Sequence, residues 1–106
     1  MSMDLVFRAL ADPSRRQLLD RLYARNGRTL NELCAGLAMS RQAVMKHLEL
    51  LAEAKLIATE KRGREKLHYL NPVPINEIAE RWIGKFERTR LRALSDLKKQ
   101  LERKDR

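Results

Sequence analysis

With 106 residues, 23 Lys plus Arg against 14 Asp plus Glu and a formal net charge of +9, the chain is sized for one domain and charged for a polyanionic partner. A single cysteine excludes a disulfide framework, and the lack of a signal-like or membrane-spanning apolar run points to the cytoplasm and away from a membrane. Charge alone suits RNA or an anionic surface as well as DNA.

Met1 to Ala11 reads as a short helix with Leu5, Val6, Phe7 and Leu10 apolar and Asp4 near its positive end. That much apolar surface must be buried in the core or against a second copy. Asp12-Pro13 opens another helix, with Asp as N-cap and Pro at the first helical position, carrying Leu18, Leu19 and Leu22 inward and ending near Gly27. Arg15 and Arg16 at its start read as ordinary surface, with contact to a nucleic-acid backbone as the alternative.

Residues 29–52 form the organising unit. Thr29-Leu30-Asn31-Glu32 has the capping-box pattern, so a helix starts there with Leu30, Leu33 and Cys34 on one face, and Gly36 permits a left-handed exit. Leu37 and Met39 plug the turn. Ser40 then caps a second helix whose Val44, His47, Leu48 and Leu51 share an inward face while Gln42, Lys46 and Glu49 share the opposite one. A helix of this form enters the major groove N-terminus first, which puts Ser40, Arg41, Gln42, Met45 and Lys46 nearest the base edges. Gln suits adenine, Arg or Lys suits guanine, and Met can touch a thymine methyl. The same face also suits plain solvated surface.

Residues 56–70 read as a β-hairpin, the wing, with its turn at Gly63 and Lys61, Arg62, Arg64 and Lys66 around the tip. Those charges can straddle a phosphate backbone or place Arg64 in the adjacent minor groove, or simply guard an exposed sheet edge. His68 reads as structural. After Asn71-Pro72-Val73-Pro74, apolar spacing from Ile75 through Leu101 predicts one long helix over 75–103. A continuous helix of about 28 residues is roughly 40 Å long, more than a domain of this size covers alone, so it calls for a second chain. Trp82 and Phe86 are the candidate interface anchors, with packing against their own domain as the alternative.

Ala9-Leu10-Ala11-Asp12-Pro13-Ser14-Arg15-Arg16, Asn31-Glu32-Leu33-Cys34, Met39-Ser40-Arg41-Gln42-Ala43-Val44-Met45-Lys46-His47-Leu48 and Leu56-Ile57 together resemble the ArsR/SmtB family of winged-helix repressors. The resemblance implies a homodimer on an imperfectly palindromic operator, released by a metal, metalloid or redox signal. It also implies that the N-terminal helix, with Leu5, Phe7 and Leu10, lies at the dimer interface. Two departures matter. The family's soft-metal sensors carry Glu-Leu-Cys-x-Cys, whereas Glu32-Leu33-Cys34 is followed by Ala35 and Gly36, and the last helix has no His for the other family metal site. No metal and no cofactor is therefore expected. Cys34 reads as a small buried hydrophobe or as a one-cysteine redox switch. Lys55 replaces the glycine that relatives place after the recognition helix, which costs about 1 kcal/mol if it adopts left-handed geometry.

The expectation is therefore a mainly α chain with a small β-hairpin, a single winged helix-turn-helix domain over residues 1–106, homodimeric through its N- and C-terminal helices. It is expected to bind double-stranded DNA as a repressor of a palindromic operator, with no catalytic constellation and its effector unidentified. A winged-helix module for protein or RNA, or a redox-responsive repressor, are the alternatives.

Overall fold

The computed structural model describes residues 3–84 and 88–104. Its elements are α1 (Met3–Leu10), α2 (Pro13–Ala24), α3 (Leu30–Cys34), α4 (Arg41–Glu53), β1 (Ile57–Arg62), β2 (Glu65–Leu70), α5 (Val73–Trp82) and α6 (Arg88–Lys104). The chain divides into two compact units, Met1–Ile75 and Asn76–Arg106, rather than one. The first holds a winged helix-turn-helix. Leu18 and Leu22 of α2, Leu33 of α3, Val44 and Leu51 of α4 and Leu56 before the wing are fully buried and form its core.

The helix ends follow the sequence chemistry. Asp12 caps α2 by accepting from the Ser14 and Arg15 amides, with Pro13 at the first helical position. Partial burial alone would raise the Asp12 carboxyl; the two amides and the nearby Arg15 and His47 outweigh it and hold the group below the ordinary aspartate value. Thr29 and Glu32 form both halves of the capping box on α3. Ser40 caps α4 by accepting from the Ala43 amide at 3.1 Å.

Arg15 is half-buried and Arg16 exposed, and both reach the end of α1. Arg15 Nε donates to the Ala9 carbonyl at 2.9 Å and its Nη2 to Arg8 at 3.0 Å, while Arg16 Nη1 donates to Leu10 at 2.7 Å. They add donors to the last carbonyls of α1, of which Arg8 O also accepts from the Ala11 amide at 3.3 Å. Arg21 does the same for α3, donating to Ala35 O at 2.5 Å. One helix thus staples the ends of its two neighbours.

After α4, Lys55 adopts φ 63°, and the Leu56 and Lys55 amides donate to the Leu51 and Ala52 carbonyls, both at 3.0 Å. This is the Schellman closure with lysine in the glycine position. Lys55→Gly is expected to raise stability by about 0.5–1 kcal/mol, the relief of left-handed strain being partly offset by glycine's greater freedom in the unfolded chain. Urea unfolding checks this; a loss of stability would mean that the lysine side chain contributes more than its strain costs.

β1 and β2 pair antiparallel from Ile57↔Leu70 to Arg62↔Glu65, leaving Gly63 and Arg64 as a two-residue turn. Gly63 has φ 60° and Arg64 does not share the left-handed region, the arrangement in which glycine leads a hairpin turn. Arg28 adds an antiparallel bridge to His68, with amide and carbonyl exchanged at 2.8 and 3.1 Å. Gly27, at φ 73°, lets the chain pass the Tyr69 ring, which an added Cβ would meet at 3.1 Å.

The C-terminal expectation needs correction. In place of one helix over 75–103 there are α5 and α6, and α5 starts at Val73 because Pro74, in the first turn, needs no amide donor. At its other end the Ile83 and Gly84 amides both reach the Ala79 carbonyl, at 2.6 and 3.3 Å, so the last turn widens at a glycine, a poor helix former. Trp82 is 49% exposed, with the Arg81 guanidinium 5.4 Å from its ring centroid; Phe86 lies outside the described residues. Among the described residues no helix is long and apolar enough to cross a membrane.

Candidate nucleic-acid interface

The inward face of α4 is fixed by Val44, Leu48 and Leu51, all buried, and that alone turns Arg41, Gln42, Met45 and Lys46 outward. Gln42 and Lys46 are exposed, and Met45 is 45% exposed. His47 is half-buried, its Nδ1 3.4 Å from Arg15 Nη1. α4 is therefore tied to the guanidinium that also holds the end of α1. No sequence pattern announces this pairing, which joins residues far apart in the chain.

The wing supplies the remaining charges. Lys61 and Lys66 are cross-strand partners, so two ammonium groups share one face of a two-stranded sheet. Like charges in that register oppose folding by roughly 0.2–1 kcal/mol, which an anion between them would relieve. Arg62 instead lies on the other face, 3.7 Å from Glu60 Oε1. Glu60 also accepts from the Tyr69 hydroxyl at 3.2 Å.

The two sets meet. Arg41 at the start of α4, Arg64 in the wing turn and Lys66 on β2 line one depression of about 260 Å³, together with Thr29, Asn31 and Glu65. Three cations thus converge where the amide-rich end of α4 adds its own positive potential. Asn31 Oδ1 accepts from the Arg41 guanidinium and holds it at the rim. Sequence reading passed over Asn31, whose place in the capping box gave no sign of a second task. Lys61, Arg62, Gln42 and Lys46 lie outside this depression. Cys34 ends α3 as a free, half-buried thiol.

A helix-turn-helix domain family matches residues 10–60, from the end of α1 through α4 into β1. YuzN of Bacillus subtilis, an uncharacterized helix-turn-helix transcriptional regulator, is 36% identical over 86 residues, covering 76% of this chain and 94% of its own. An ArsR-like transcriptional regulator from Rhodococcus superposes with a TM-score of 0.69 at 32% identity, over 90% of this chain and 91% of that one. The chain belongs to the ArsR family of transcriptional regulators. Another relative, the transcriptional repressor SdpR of Bacillus subtilis, is 28% identical over 79% of this chain and 91% of its own. As a DNA-binding ArsR-family regulator, the chain has the exposed face of α4 and the basic wing as its candidate duplex contacts. The family domain ends at residue 60, before the wing turn, so Arg64 and Lys66 rest on the geometry above.

Proposed function

We propose that the protein is a cytoplasmic, homodimeric repressor that reads a two-fold symmetric operator and does not respond to a metal. The convergence of Arg41, Arg64 and Lys66 on one depression beside the exposed face of α4 carries the DNA part of this reading. In it, Gln42, Met45 and Lys46 read base edges while Ser40 and Arg41 start the helix at the groove, and Lys61, Arg62, Arg64 and Lys66 hold the backbone. The dimer reading is supported by Leu94, Leu97 and Leu101, which recur along α6 at 64%, 52% and 55% exposure, and by the exposure of Leu5 and Phe7 on α1. Leu10 is half-buried; with Trp82 and Phe86 it completes the proposed interface set. Two copies would set their recognition helices about one DNA turn, ~34 Å, apart.

The donor set supports the absence of metal sensing. The chain offers only two His and one Cys as imidazole and thiol donors. Within the described residues no three His, Cys, Asp or Glu side chains form a group suited to a metal ion.

Two variants separate reading from gripping. Gln42→Ala is expected to lose about 1–3 kcal/mol on the cognate operator with little change on random duplex, whereas Arg64→Ala weakens both alike. Fluorescence anisotropy with the two duplexes measures the difference. Equal losses for Gln42→Ala on both, or equally tight binding of an RNA hairpin, would remove the base-reading role.

A further inference from the structure

Between α4 and the wing lies a half-open cavity of about 240 Å³ that the DNA reading does not use as such. Leu30 of α3, Met45 and Leu48 of α4 and Ile57 of β1 give it an apolar lining, and Glu49, Lys66 and His68 contribute polar groups. We propose that this cavity binds a small hydroxylated aromatic molecule of one or two rings, and that its occupancy opposes DNA binding. The second half of this proposal rests on the DNA reading above; the first half does not.

Size selects the occupant first. The volume lies just under the ~300–1,000 Å³ of small-molecule sites and is too small for a partner helix ~10 Å across. Methionine on the wall adapts to flat rings and makes favourable sulfur–aromatic contacts. The polar groups then select the chemistry. His68 is only 6% exposed, and its Nδ1 lies 2.9 Å from the Arg28 carbonyl. A carbonyl only accepts, so Nδ1 carries the proton, and the tautomer with this proton alone presents Nε2 as an acceptor. Among the described residues Nε2 has no hydrogen-bond partner, and neither Glu49 nor Lys66 joins an ion pair. A phenolic hydroxyl meets this set: it donates to a ring nitrogen or carboxylate and accepts from an ammonium. An aromatic carboxylate would gain Lys66 but has no proton to donate to Nε2 and would face the Glu49 carboxylate.

The coupling follows from shared residues. Met45 and Lys66 line the cavity and also belong to the proposed duplex contacts. A ligand that engages them inside withdraws them from DNA, and by linkage DNA weakens the ligand equally.

The probe is 2-naphthol, titrated into the full chain and followed by amide NMR. Saturable shifts centred on Leu30, Thr59 and His68, with a Kd below ~1 mM, are expected. 2-Naphthoate is expected to bind more weakly. Ala52→Phe, which fills the cavity from an exposed helix position outside the DNA-contact set, should abolish the shifts while keeping the amide fingerprint of the folded protein. Saturating 2-naphthol should weaken operator binding by the wild-type chain at least about threefold. The site is overturned by absent or scattered shifts, by shifts that persist in Ala52→Phe, or by tighter binding of 2-naphthoate. An operator affinity indifferent to saturating 2-naphthol overturns the coupling. Failure of ligand-free protein to bind any duplex would count against the DNA reading, and the shift map would still decide the cavity.

Discussion

Leu97→Glu is expected to convert the protein from dimer to monomer and to lower its affinity for a two-half-site operator by about 100-fold or more, while the amide fingerprint of residues 3–75 stays native. Leu97 lies between Leu94 and Leu101 on one face of α6, a 17-residue helix with few other apolar groups. Moving each leucine from half-exposed to buried contributes roughly 1 kcal/mol, and a glutamate in the middle of the stripe replaces that gain with an unpaired charge. The DNA effect is larger than the interface effect because linking two half-site contacts makes the second one intramolecular, an advantage of about 10²–10⁴. Sedimentation equilibrium and anisotropy on the same samples check both parts. A variant that remains dimeric would move the interface away from this stripe.

Leu22→Ala should destabilise the Met1–Ile75 unit by about 2–5 kcal/mol, enough to lower its melting temperature by on the order of 10–20 °C. Leu22 has no solvent exposure and lies in α2, the helix that packs on α1, α4 and β2 and whose arginines close the ends of α1 and α3. A cavity there loosens every element that orients the recognition helix. Against a typical total of ~5–15 kcal/mol, the loss is expected to reduce DNA binding at 37 °C through unfolding, with binding intact at low temperature. Thermal unfolding by circular dichroism gives the first number and anisotropy at two temperatures the second. A shift of only a degree or two would show that the core collapses readily around the gap.

What was legible beforehand was local. Asp12, Thr29 with Glu32, and Ser40 mark helix starts because a short oxygen-bearing side chain next to free amides has few better partners. Gly63 marks the wing turn, and Lys55 takes the left-handed position its place in the chain implied. Contacts between distant residues left no such trace. Arg15 and Arg16 look like surface charge in a sequence, and only the fold shows that the carbonyls of α1 end beside them. The Arg28–His68 bridge and the hold of Asn31 on Arg41 belong to the same class. The break between α5 and α6 was missed for a different reason: apolar spacing runs on through Gly84, while the turn there is decided by backbone preference.

The central claim is that two protomers present the N-terminal turns of α4 to successive grooves of one duplex. Selection of bound fragments from a random duplex pool at ~0.15 M salt tests it most directly, because partner, stoichiometry and register appear in one consensus. The account predicts a two-fold symmetric consensus with half-site centres about 10 base pairs apart. An enriched site without symmetry, or no enrichment over the starting pool, would contradict it.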